Sequence, residues 1–279
     1  MVLKMNWEMT KLIQKMSSNK DVNQMTFWEH LEELHSIVLK AIALMVAFSI
    51  IAFVFKDELF QIVLAPKNAN FITYRVLNIC GSLFGQSESV TFHIGLINTG
   101  LAEQFVIHMK TAMWAGFLCA LPYIIYLLFH FVAPALYDEE LRYTAYIGGW
   151  GYLMFVLGVL TSYFLVFPLT FHFLGTYQVS TEVANMISLQ SYMDTLIMLS
   201  LAMGIVFEMP LLSWLLGKMN ILSSDVMRKY RRHSYVAILI IAAIITPTSD
   251  VFTLLVVSLP MGMLYEISIL ITGRHKQYL

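Results

Sequence analysis

The chain has 279 residues, of which 58% are hydrophobic and 13% charged, with a formal net charge of −1. A soluble domain of this length would carry charge on about a quarter of its residues, and the apolar residues here come in long runs rather than periodic stripes. An ordinary soluble globular domain is therefore excluded, and the chain reads as an all-α polytopic membrane protein. The absence of excess positive charge speaks against nucleic acid as a partner. Cys80 and Cys119 fall in a polar loop and an apolar span, so neither a disulfide framework nor a metal spacing follows from them.

Residues 1–25 are polar and rich in Met and Lys, with no apolar core and no small-residue cleavage site. They read as a flexible cytoplasmic tail and not as a signal peptide. A membrane domain over 26–273 follows, then a short tail, 274–279. The segment Thr26-Phe-Trp-Glu-His-Leu-Glu-Glu-Leu-His35 opens with Thr26 and Glu29 at capping-box spacing. Phe27, Leu31, Leu34 and Val38 recur at helical spacing, which predicts a short amphipathic helix feeding a first span over Ile37–Phe55.

Five more spans are expected over Phe105–Val132, Tyr143–Phe171, Tyr192–Leu216, Ser234–Ile245 and Phe252–Thr272. Crossing a hydrocarbon core of about 30 Å takes roughly 20 residues, so the fifth is short and must meet a thinned bilayer or lie behind other helices. The polar stretch Lys56–Gln104 forms a loop large enough for a small cap, and Thr246-Pro-Thr-Ser-Asp250 is a tight turn. Basic residues set the orientation. Those at 4, 11, 15, 20, 40, 142, 218, 228, 229, 231, 232, 274 and 276 fall on one side; Lys56, Lys67, Arg75 and Lys110 fall on the other. Both termini are thereby expected in the cytoplasm, with 56–104 outside.

Two acid clusters, Glu29–Glu32–Glu33 and Asp138–Glu139–Glu140, sit on the side that normally collects Lys and Arg. Glu29 and Glu33 share a helical face, and position 37 offers Glu33 no cation at i+4. A solvated interfacial helix and a cation-binding site are both compatible with that spacing. Asp138, Glu139 and Glu140 follow Pro134 at what reads as the first turn of a helix, where acids favour the dipole. That accounts well for Asp138 and less well for three acids in a row.

Glu208 lies in the fourth span, roughly 12 Å from its cytoplasmic end. A charge there costs several kcal/mol, of order 3, unless it is paired, protonated or solvated. Pro210 frees a backbone carbonyl nearby, so a neutral acid bonded at a kink is one reading and a functional group the other. Asp250 suits a cap for the last helix, Glu266 lies inside the sixth span, Glu103 and Lys110 flank the outer end of the second, and Asp194 sits near the outer end of the fourth. His93, His108, His130 and His172 are scattered singly. No phosphate loop, zinc helix or serine elbow is present, so catalysis, cofactor and metal find no support.

Four motifs occur in order: His30-Leu-Glu-Glu-Leu34, Phe131-Val-Ala-Pro-Ala-Leu-Tyr137, Phe207-Glu-Met-Pro210 and Thr246-Pro-Thr-Ser-Asp250. With their topological places, they make residues 26–272 resemble TatC, the multi-spanning receptor subunit of the twin-arginine protein translocase. The resemblance implies six helices in a concave, glove-like bundle with two short final spans, in the plasma (inner) membrane. It implies transport of folded proteins driven by the proton-motive force, in an oligomeric complex with single-span subunits of TatA and TatB type. Glu33 and Glu140 match the glutamates that bind the paired arginines of the signal peptide, and Phe131 an aromatic beside them. Glu208 matches an intramembrane glutamate linked to the partner subunits, Asp250 an outer aspartate, Pro66 a proline of the first outer loop and Lys110 a basic position in span two. His35 departs from the pattern, standing where the family usually has arginine, which leaves the orienting task to an imidazole or another residue.

The chemistry suits such a role independently of the resemblance. Arginine meets a carboxylate with two parallel hydrogen bonds, which lysine cannot reproduce. A secondary transporter with Glu208 as its ion site is the alternative reading, although no internal repeat supports it; a non-catalytic membrane scaffold is another.

Overall fold

The computed structural model describes residues 27–83, 94–132, 138–178, 180, 185–218, 221–246 and 250–274, with side chains omitted at 27–30, 80, 83, 128–148 and 274. The expected N-terminal tail, Thr26 and its capping box, Pro134 and His93 lie outside the described residues. The helices are α1 (Phe27–Val54), α2 (Lys56–Val63), α3 (Ile72–Leu83), α4 (Glu103–Val132), α5 (Asp138–Thr161) and α6 (Phe167–Thr176). They continue as α7 (Leu189–Val206), α8 (Met209–Lys218), α9 (Ser224–Lys229), α10 (Arg231–Ile245) and α11 (Val251–Arg274). Strands β1 (Leu96–Ile97) and β2 (Ile187–Ser188) pair in parallel, Leu96 opposite Ile187.

Five stretches are long and apolar enough to cross a membrane: Leu31–Val54, Glu103–Leu127, Gly149–Thr176, Leu189–Lys218 and Val251–Gly273. The remaining expected span, fifth in chain order, is α10, whose 15 residues reach only about 22 Å. The chain is a multi-pass helical membrane protein, and the short fifth element of the sequence reading is short in the structure.

Prolines explain how the long spans depart from single helices. Pro210 cannot donate to the carbonyl four residues back, and the fourth span breaks at Phe207–Glu208 into α7 and α8 rather than merely bending. Pro168 likewise cannot donate to the Phe164 carbonyl. A π turn, Ser162–Val166, precedes it, and the Thr73 hydroxyl donates to Phe164 O instead. Pro122 is carried inside α4 without ending it. Where the sequence predicts a separate amphipathic segment before span one, α1 is a single unbroken helix of 28 residues.

The chain divides into two compact units, Met1–Phe55 with Ala112–Leu153, and Lys56–Thr111 with Met154–Leu279. In the first, α1 meets α4 at Gly116, where a Cβ would stand 2.6 Å from Ser49 N and 2.8 Å from Met45 O. Hydrogen there lets the two backbones touch, while most of α1's apolar surface stays exposed for lipid. In the second unit Gly158 does the same against the Met203 carbonyl. Its core joins Phe167, Phe171, Tyr192, Leu199, Met203, Met261 and Ile269.

The described part of the predicted cap over 56–83 is largely helical and is held within the second unit by tyrosines. Tyr192 Oη donates to Val63 O at 3.0 Å and Tyr163 Oη to Ile62 O at 2.5 Å. Tyr74 Oη, fully buried, lies 2.9 Å from Pro168 O and 3.2 Å from Pro66 O. Burial pushes the Tyr74 phenol up from its usual range, so it remains a donor.

Candidate functional site

Glu33 lies on α1, one turn before Ile37, the buried residue of that face. The side chain is half-buried, and Oε2 is shielded from solvent with no hydrogen-bond partner among the described residues. This agrees with the missing i+4 cation. Glu32 is exposed. His35 is exposed as well, and residues two apart on a helix do not face each other, so the imidazole does not orient the Glu33 carboxylate from within α1. Phe131 falls in the last turn of α4 and Glu140 in the first turn of α5; their side chains, with those of Glu29, Asp138 and Glu139, lie outside the described residues. Backbone positions of Glu33, Phe131 and Glu140 belong to the same compact unit.

Glu208 sits in the break between α7 and α8. Its backbone bridges the gap, the N–H bonding Ile205 O at 3.1 Å and the carbonyl accepting from Leu212 N at 2.9 Å. Its half-buried carboxylate has neither hydrogen bond nor ion pair among the described residues, so the reading of an acid bonded at the kink is not what the geometry provides. Glu266 differs. Arg231 Nη2 reaches its Oε2 at 2.5 Å and Tyr235 Oη donates to Oε1 at 2.7 Å. A second unanswered mid-span acid, which a cation-coupled transporter would use, is thereby removed.

The N-terminal ends of α4 and α7 hold polar contacts that the sequence does not foretell. The Glu103 carboxylate accepts N–H groups from Gly100 at 2.7 Å, Thr99 at 3.0 Å and Gln190 at 3.2 Å, tying the starts of both helices together. Lys110, on α4, pairs with Asp194 at 3.0 Å. Pro66 is buried in a 3₁₀ turn under Tyr74. Asp250 caps α11, accepting from Thr253 N at 2.7 Å and Thr253 Oγ1 at 2.5 Å. Among the described residues no group of three His, Cys, Asp or Glu side chains gathers to hold a metal.

The family model described as Sec-independent protein translocase protein (TatC) matches residues 29–260. The chain belongs to the TatC family. Among its relatives, the protein from Blattabacterium sp. subsp. Periplaneta americana is 34% identical over 90% of this chain and 96% of its own length. That of Deinococcus radiodurans is 32% identical over 88% and 84%; both are named Sec-independent protein translocase protein TatC. The crystal structure of a twin-arginine translocase receptor TatC is 31% identical, with TM-score 0.66, over 88% of this chain and 98% of its own. A second, of the receptor in DDM, gives 30% and TM-score 0.68 over 87% and 98%. This TatC-family chain is thus a component of a Sec-independent, twin-arginine protein translocase, a transport subunit and not an enzyme.

Proposed function

We propose that this chain is the receptor that binds the two consecutive arginines of signal peptides on folded cargo, with Glu33 and Glu140 as the paired carboxylates. The shielded, unpartnered Oε2 of Glu33 is the observation that carries this reading. An exposed ion pair contributes only about 0.2–1 kcal/mol. At Glu33 folding has already stripped water from one carboxylate oxygen, so an arriving guanidinium regains hydrogen bonding with little further desolvation. Phe131, at the close of α4, supplies an aromatic face on which a guanidinium stacks, and His35 lies outward as a neighbour rather than an orienting group.

Selection by the carboxylates is combined with retention of the signal's apolar segment along exposed helix faces such as that of α1. Glu208, well inside the fourth span, has a carboxyl that neither a cation nor a donor answers among the described residues. It serves contact with single-span subunits of TatA and TatB type in an oligomeric assembly powered by the proton-motive force. The basic side faces the cytoplasm of the plasma (inner) membrane, with both termini.

The test is photocrosslinking of an Arg-Arg signal peptide to the full chain in its membrane, with Lys-Lys as control. Glu33→Ala and Glu140→Ala should each lower capture by about tenfold or more, and Lys-Lys should be captured as weakly as by the variants. Undiminished capture by both variants overturns the assignment.

A further inference from the structure

Between α10 and α11 runs an open groove of ≈ 770 Å³. Leu239, Leu255, Leu259 and Met263 line it, Gly262 leaves room in its wall and Glu266 stands at one end. Leu255, Leu259 and Met263 are each more than half exposed, so apolar surface here awaits an apolar occupant.

The polar end of the groove is distinctive. Arg231 closes it by pairing with Glu266, to which Tyr235 also donates. Flanking Arg231 in the chain are Arg228 and Lys229 at the end of α9 and Arg232 at the start of α10, all exposed. Arg228 Nη2 reaches to 4.0 Å from where a Gly273 Cβ would stand, and so lies at the end of α11. Among the described residues none of these three cations has an acidic partner. A long apolar trough with unanswered positive charge gathered at one end matches an amphiphile with an anionic head and an apolar tail. A partner helix would not need its charge gathered there. The short α10 adds a reason for a resident lipid, because a span of about 22 Å leaves the adjoining bilayer several ångströms too thick.

We propose that this groove seats an acyl chain of an anionic phospholipid, its phosphate held by Arg228, Lys229 and Arg232. The test is native mass spectrometry of the full chain in detergent after incubation with dioleoylphosphatidylglycerol or dioleoylphosphatidylcholine. Phosphatidylglycerol should be retained in preference by on the order of tenfold to a hundredfold. Replacing all three cations (Arg228→Gln, Lys229→Gln, Arg232→Gln) should bring it to the level of phosphatidylcholine. Leu259→Trp, or Leu255→Trp if the first fails to fold, should fill the trough and lower retention of both lipids. Equal retention of the two lipids, or a preference untouched by the triple replacement, overturns the proposal. So does a photocrosslinker at Leu259 that captures a polypeptide and never the phospholipid, which would assign the groove to a protein helix.

Discussion

The charged residues near the N-terminal ends of α4, α7 and α11 and those of the acid sites Glu33 and Glu208 are handled in opposite ways. At those helix starts Glu103 is bonded by three backbone N–H groups, Asp194 by Lys110 and Asp250 by Thr253. Glu33 and Glu208 are half-buried and have no such answer among the described residues. A satisfied charge fixes a fold, whereas an unsatisfied one costs stability and persists where something arrives to meet it. Removing a side chain from the first class should therefore lower stability, and removing one from the second should lower transport.

Glu33→Gln provides the sharpest break. Signal capture should fall by about tenfold or more while the thermal unfolding midpoint holds or rises, since a shielded oxygen without a partner is replaced by a less costly amide. A midpoint that falls together with capture would return Glu33 to the structural class. Glu208→Gln should behave in the same way toward stability, with the loss read in export of a folded reporter and not in capture of the signal peptide.

Tyr74→Phe should do the reverse. Removing the hydroxyl takes one shared donor from the carbonyls of Pro66 and Pro168 and should cost about 0.5–1.5 kcal/mol, read as a lower midpoint in detergent with signal capture retained. The contact also gives Pro66 a physical role: its carbonyl is one of two held by a single phenol under the cap. Asp250→Ala removes the cap of α11 and should cost about 1 kcal/mol, again without effect on capture. Thr253→Val, which keeps the backbone donor, should cost less.

Much of this arrangement is legible before folding, and the rest is hidden for identifiable reasons. Apolar runs and turn residues place five of the six expected spans on helices long enough to cross a membrane, with ends differing by up to six residues, and Pro210 marks the site where the fourth one breaks. The missing cation at position 37 foretells the unpaired Glu33, because helical spacing is local. Thr73 donating to Phe164 spans 91 positions and Lys110 to Asp194 spans 84. No period or motif reports a bond of that separation. Glu103 is hidden differently: its partners are backbone N–H groups, which every sequence carries, so only the loop's path exposes them. The Arg231–Glu266 pair is likewise made by packing of α10 on α11, and the sequence leaves Glu266 an unassigned acid.

The Lys110–Asp194 pair tests the comparison at its weakest point. Both side chains are 45% exposed, and exposed ion pairs contribute about 0.2–1 kcal/mol. A double-mutant cycle of Lys110→Met and Asp194→Asn should return a coupling energy in that range. The coupling should shrink in high salt, since charges in contact with water are screened over about 8 Å at physiological ionic strength. Each single variant should leave signal capture intact. If Lys110→Met instead abolished export with the midpoint unchanged, an answered charge would be behaving like an unanswered one. Being satisfied in the resting chain would then no longer separate structural from functional acids, and the pair would have to be one that opens during transport.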